Sequence, residues 1–133
     1  MRERAKEILR NCNARMTINY AGCDANADWG DNTLRDYYSV TISKGRKRMH
    51  LTFWNSVHNT ETHTAPEEYD ILACLQKYDV STLDDFVSEF GCEIHSLEDY
   101  RRVERAYKAA CKEYADLRRL FNESEMEMLG EVC

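Results

Sequence analysis

No apolar run in these 133 residues approaches the roughly twenty needed to cross a bilayer, which excludes a membrane-spanning helix. The first ten residues, MRERAKEILR, lack the apolar stretch of a secretion signal, and a cytoplasmic protein is the expectation. No two of the six cysteines, at 12, 23, 74, 92, 111 and 133, lie closer than eleven residues, so no C-x-x-C pair exists for zinc or redox work. Without a secretion signal they read as reduced thiols rather than a disulfide framework, with Cys74 and Cys111 acting as small hydrophobes on helix faces. Walker loops, G-x-G-x-x-G, G-x-S-x-G and H-E-x-x-H are all missing. The carboxylates fall in no motif that builds a catalytic cleft. The reading is therefore a protein that binds, not an enzyme, and it calls for no cofactor.

What is present suits one domain over residues 1–133. A 43% hydrophobic and 32% charged composition belongs to a globular chain, not a disordered one. The net charge of −6 conceals a segregation along the sequence. Residues 1–50 carry ten basic and six acidic side chains, whereas residues 51–133 carry eight and eighteen. Between 61 and 99, eleven acids face one base, Lys77. Such a stretch repels nucleic acid and attracts basic surfaces.

Residues 2–11 read as a short helix with Ala5, Ile8 and Leu9 on one side, so residues 1–13 form a helical extension. Met16, Ile18 and Tyr20 alternate with polar residues and predict a strand over 15–20, followed by a polar loop over 21–33. Tyr38, Val40 and Ile42 alternate in one further strand, and Met49, Leu51 and Phe53 in the next. With Lys44-Gly45 between them, the two strands predict a β-hairpin. Its second face carries Tyr37, Ser39, Thr41, His50, Thr52 and Trp54. Pro66, the only proline, marks a helix start, and a helix is expected over 67–77. Ser81-x-x-Asp84 opens another that Gly91 ends, and Ser96-x-x-Asp99 opens the longest, running to about Phe121. Asn122 caps a last short one. Along the long helix, Tyr100, Val103, Tyr107, Ala110, Tyr114, Leu117 and Phe121 make an apolar seam, expected to cover the hairpin's apolar face. The predicted class is α+β: a small antiparallel sheet, hairpin plus one strand, with helices packed on one face.

Three constellations bear on chemistry. Asp24, Asn26, Asp28 and Asp31 space oxygen ligands as a calcium loop does, but Trp29 stands where the sharp-turn glycine belongs and Arg35 where the closing glutamate belongs. Cys92-x-x-His95 is half of a zinc site without its other half. Neither predicts a bound metal. The basic turn Arg46, Lys47 and Arg48, with Tyr37 and Trp54 on the open face, combines cations and aromatic rings as single-strand binders do; the negative net charge weighs against direct nucleic-acid contact.

From about Ala14 onward the chain resembles a family of small proteins encoded by bacteriophages and mobile elements of Firmicutes-type bacteria. The residues that carry the likeness are Tyr38-Ser-Val-Thr-Ile-Ser-Lys-Gly-Arg-Lys, Glu68-Tyr-Asp-Ile-Leu-Ala-Cys-Leu-Gln-Lys-Tyr-Asp, Ser88-Glu-Phe-Gly and Leu120-Phe-Asn-Glu-Ser-Glu. The chain departs from the pattern in residues 1–13 and at Cys92-Glu-Ile-His. The resemblance brings no catalytic residue, but it implies a genomic context in which small acidic proteins inhibit host defence, anti-CRISPR proteins among them. By that analogy the expected partner is a CRISPR effector nuclease, whose positive channel an acidic surface can occupy. The residues expected to bind are Glu67, Glu68, Asp70, Asp84, Asp85 and Glu89. The alternative is an accessory protein that binds nucleic acid through Tyr37, Arg46, Lys47, Arg48 and Trp54.

Overall fold

The structure, a computed structural model, describes residues 2–25, 34–56 and 65–132. In chain order the elements are α1 (Arg2–Asn11), β1 (Ala14–Ala25), β2 (Leu34–Lys44), β3 (Lys47–Ser56), α2 (Glu68–Gln76), α3 (Leu83–Phe90), α4 (Leu97–Leu120) and α5 (Glu123–Gly130). The described residues therefore form an α+β chain of five helices and one antiparallel sheet ordered β1-β2-β3. The chain divides into two compact units, Met1–Ile71 and Leu72–Cys133, and α2 runs across the division.

In the first unit, Ala5, Ile8, Leu9 and Cys12 recur at helical spacing and are buried, while α1 packs against β1. Asn13 ends the helix in a left-handed conformation, φ 56°, that asparagine adopts more readily than most residues. The register stacks the apolar side chains in transverse rows on one face: Met16–Ile42–Met49, Ile18–Val40–Leu51 and Tyr20–Tyr38–Phe53. Tyr38, Val40, Ile42, Met49 and Leu51 in these rows are buried. The Tyr20 and Tyr38 rings meet edge to face, with centroids 5.7 Å apart.

Two details of the sheet differ from the sequence expectation. Pairing of β1 with β2 continues to Ala25, through residues read as loop. Between Tyr20 and Gly22 the register shifts by one extra residue on β1, and Gly22 takes φ 129°, a value glycine alone adopts without strain. At the hairpin the two-residue turn is Gly45-Arg46, one position later than expected, with Lys44 paired to Lys47. A positive φ of 61° at Gly45 and not at Arg46 is the pattern of a type II′ turn, whose twist matches that of the strands.

In the second unit each helix start is capped by a side chain. Thr82, not Ser81, caps α3: its hydroxyl accepts from the Asp85 N–H at 3.1 Å. That start puts Leu83, Phe86, Val87 and Phe90 on one side, the spacing that buries an amphipathic helix. Gly91 ends α3 at φ 61°. Ser96 caps α4 through the Asp99 N–H, and the Asp99 carboxylate accepts from the His95 N–H at 3.0 Å. Asn122 and Glu125 close a reciprocal capping box on α5. Val103, Tyr107 and Ala110, the N-terminal part of the α4 seam, pack with Phe86 of α3. The Phe86 ring lies 4.8 Å from that of Phe90 and 5.7 Å from that of Tyr107. Farther along the seam, Leu117 and Phe121 are buried, whereas Tyr100 at its start is exposed.

Candidate functional site

The six acidic residues separate into two groups with different local tasks. Glu67, Glu68 and Asp70 stand at the start of α2, in the first unit. There the Asp70 carboxylate accepts from the Glu67 N–H at 2.8 Å, which caps the helix, and Glu67 pairs with Arg2 of α1 at 3.1 Å. These two carboxylates are committed to holding the chain. Asp84, Asp85 and Glu89 belong to α3, in the second unit, and all three are exposed. Asp85 and Glu89 are one helical turn apart, with Asp84 beside them on the side away from Phe86 and Phe90. None of the three forms an ion pair among the described residues.

The neighbouring long helix is arranged otherwise. Along α4 seven of the charged side chains pair locally: Lys108 with Glu104 at 3.7 Å, Lys112 with Asp116 at 2.9 Å, Arg119 with Asp116 at 2.7 Å, and Arg102 with Asp99. The His95 N–H, with the Arg102 charge adding to it, holds the Asp99 carboxyl below its ordinary range. Exposed Glu98 of α4 and Glu123 and Glu127 of α5 likewise form no ion pair among the described residues, so α3 is one of several unpaired acidic segments of the second unit.

The second set of candidates lies on the sheet. Tyr37 and Trp54 are cross-strand partners on the polar face. The Arg35 guanidinium sits 3.8 Å from the Trp54 ring centroid, a cation–π contact. Arg46 and Lys47 are exposed at the turn, and exposed Arg48 points to the same face as Trp54, six residues or about 20 Å along the strand. Thr41 Oγ1 and His50 Nδ1 lie 2.9 Å apart between them. Sequence reasoning missed Arg15 and Arg35 on this face. The alternation of β1 alone puts Arg15 opposite Met16, but only the register aligns it with Ser43 and Arg48.

Neither metal constellation assembles within the described residues. Asp24 is paired with Arg35 in the sheet, and Asn26, Asp28 and Asp31 lie outside those residues. Burial pushes the Cys92 thiol up, and the exposed His95 ring is engaged by Glu93 at 3.3 Å. Among the described residues no three His, Cys, Asp or Glu side chains converge as ligands.

A cluster no sequence motif signals lies in the second unit, where Cys74, Tyr78 and Glu113 interact. The Cys74 thiol donates to the Tyr78 hydroxyl at 3.3 Å. Burial raises the pKa of both, and the Glu113 charge adds to the effect, so Cys74 stays a thiol near neutral pH and is not poised as a nucleophile. Burial also pushes Glu113 up from 4.5 to about 7, with Lys112 opposing and Asp116 reinforcing. A carboxyl raised in the folded state binds more protons there than in the unfolded chain. Its contribution therefore stabilises the fold at low pH and is lost as pH rises from about 4.5 to about 7. The full displacement corresponds to about 3 kcal/mol, and solvent screening of this partly exposed group reduces the expected effect to about 1–2 kcal/mol. In Glu113→Gln, urea midpoints between pH 5 and pH 8 are expected to lose that slope, with the variant more stable than the native chain at pH 8. Parallel pH profiles for the two proteins would contradict the assignment.

No protein family, curated protein or solved structure compared with the chain matches it.

Proposed function

We propose that this protein is an inhibitory binding protein that docks the outer face of α3 onto a basic surface of a host-defence complex. Asp84, Asp85 and Glu89 supply the charge. The observation that supports this most directly is that these three exposed carboxylates form no ion pair among the described residues, while Asp99, Glu104 and Asp116 of α4 are each paired with a neighbouring base. An acid already matched by a partner contributes little to attraction, whereas an unmatched group raises the encounter rate with a positive surface.

The class of target follows from the resemblance to proteins of phages and mobile elements. An RNA-guided nuclease must hold its guide and target in a positively charged channel, and a carboxylate-bearing helix competes for the groups that line it. On this reading the protein inhibits by occupation and performs no chemistry on its target.

The test is affinity capture from a bacterial lysate containing CRISPR effectors, with retained proteins identified by mass spectrometry after low- and high-salt washes. One effector subunit retained in stoichiometric amount and released by salt is the expected result, because contacts between exposed charges are screened beyond about 10 Å at 0.1 M salt. A capture that is empty, that contains nucleic acid without an effector, or that is indifferent to salt rejects the reading.

A further inference from the structure

The sheet has one face that the acidic α3 reading leaves unused, and its composition is specific. Five transverse rows run across it. Arg15–Ser43–Arg48 comes first, followed by Thr17–Thr41–His50, Asn19–Ser39–Thr52, Tyr37–Trp54 beside Gly22, and Asp24–Arg35–Ser56. Asp24 is the single carboxylate among these positions, against three arginines, although the first unit has as many acidic as basic residues, ten of each. The face therefore carries positive charge on a unit with no net charge, whereas the second unit has fourteen acids against eight bases.

Most of these side chains are also exposed. Arg15, Thr17, Asn19, Ser39, Arg48, His50 and Thr52 are exposed, and Trp54 is 43% exposed even with Arg35 over its ring. Arg15, Arg46, Lys47 and Arg48 form no ion pair among the described residues. The two arginines of the first row are separated by the width of two strand spacings, about 10 Å. A row of hydroxyl and amide groups then leads to the aromatic pair about 20 Å away.

We propose that this open face binds single-stranded nucleic acid, with Arg15, Arg46 and Arg48 on backbone phosphates and the Trp54–Tyr37 pair as a platform for base stacking. Cations that follow a backbone combined with an exposed aromatic face are what sequence-tolerant single-strand binding requires, and such platforms take four or more nucleotides. The stacked Arg35 guanidinium fixes the Trp54 ring before the ligand arrives, which lowers the ordering cost of binding. A duplex offers no unstacked base to the aromatic pair and is expected to bind more weakly. The proposal does not depend on the α3 reading, and either one stands if the other fails.

The test uses a fluorescein-labelled twelve-residue oligothymidylate and the full chain, followed by anisotropy at low salt, with the matching duplex as competitor. The native protein is expected to bind the single strand in preference to the duplex. Trp54→Ala is expected to weaken binding at least five-fold. Arg48→Gln is expected to lower the slope of log affinity against log salt by about 0.7, the value for one lost single-strand phosphate contact. Both side chains are exposed, and an unchanged far-UV circular dichroism spectrum shows that each variant is folded. No anisotropy change at low salt, a preference for duplex, or binding that neither substitution alters would overturn the proposal.

Discussion

Neutralising Asp84, Asp85 and Glu89 together (D84N, D85N and E89Q) is expected to slow association with the captured effector at least ten-fold while changing the dissociation rate less. Long-range attraction between a charged patch and an oppositely charged channel acts mainly on encounter, where steering is worth roughly 10- to 1,000-fold. The measurement is surface plasmon resonance against the captured subunit at several ionic strengths. The native rate should fall steeply with salt and converge on that of the triple variant, which should be nearly flat. Asparagine and glutamine are preferred to lysine because Asp84 and Asp85 occupy the first turn of α3, where negative charge favours the helix by roughly 0.3–1 kcal/mol per residue. Equal association rates for the two proteins at low salt would remove α3 from the interface. The corresponding change at Glu67 and Asp70 is less informative, since it also removes a helix cap and an ion pair.

The second large effect is on stability. Phe86→Ala is expected to cost about 3–5 kcal/mol, a large share of what a unit of this size can have in reserve. Phe86 is nearly fully buried and joins Phe90, Tyr107, Val103 and Ala110, so its truncation leaves a cavity among them. Urea unfolding followed at 222 nm, where helices dominate the signal, should show the midpoint collapse. Phe86→Leu keeps most of the volume and is expected to lose only about 1–2 kcal/mol. A loss below about 1 kcal/mol for Phe86→Ala would mean that the aromatic cluster does not hold the unit together.

Much of the fold was legible because each element follows one simple period. Tyr38, Val40 and Ile42 against Met49, Leu51 and Phe53 set the hairpin, and Ser96, Asn122 and Gly91 marked helix ends through backbone groups that require a partner. The misses occur where that simplicity breaks. The second half of β1 read as loop because the bulge before Gly22 reverses the alternation, so that Cys23 falls on the face of Asp36 and the period of two is interrupted. At Ser81-Thr82, two adjacent residues can both cap, and only packing of Leu83 and Phe86 selects the second. The candidate sites were legible as composition but not as geometry. A run of acids cannot reveal that Asp70 caps its own helix while Asp84 faces solvent. Glu113 gave no signal at all, since its raised pKa comes from burial that no local pattern encodes.

The way the described strands and helices are connected also sets an order of assembly during synthesis. The described elements of the second unit are all helical, made of contacts close in sequence, which form fast. The sheet pairs Ala14 with Lys44, thirty residues away, at its widest span, and pairings of that span form on slower timescales than helical contacts. Translation at roughly 5–20 residues per second takes about 3–12 seconds to add the second unit after the first. The slow half is thus made first, and β1, β2 and β3 have that interval to find their register before the acidic helices emerge.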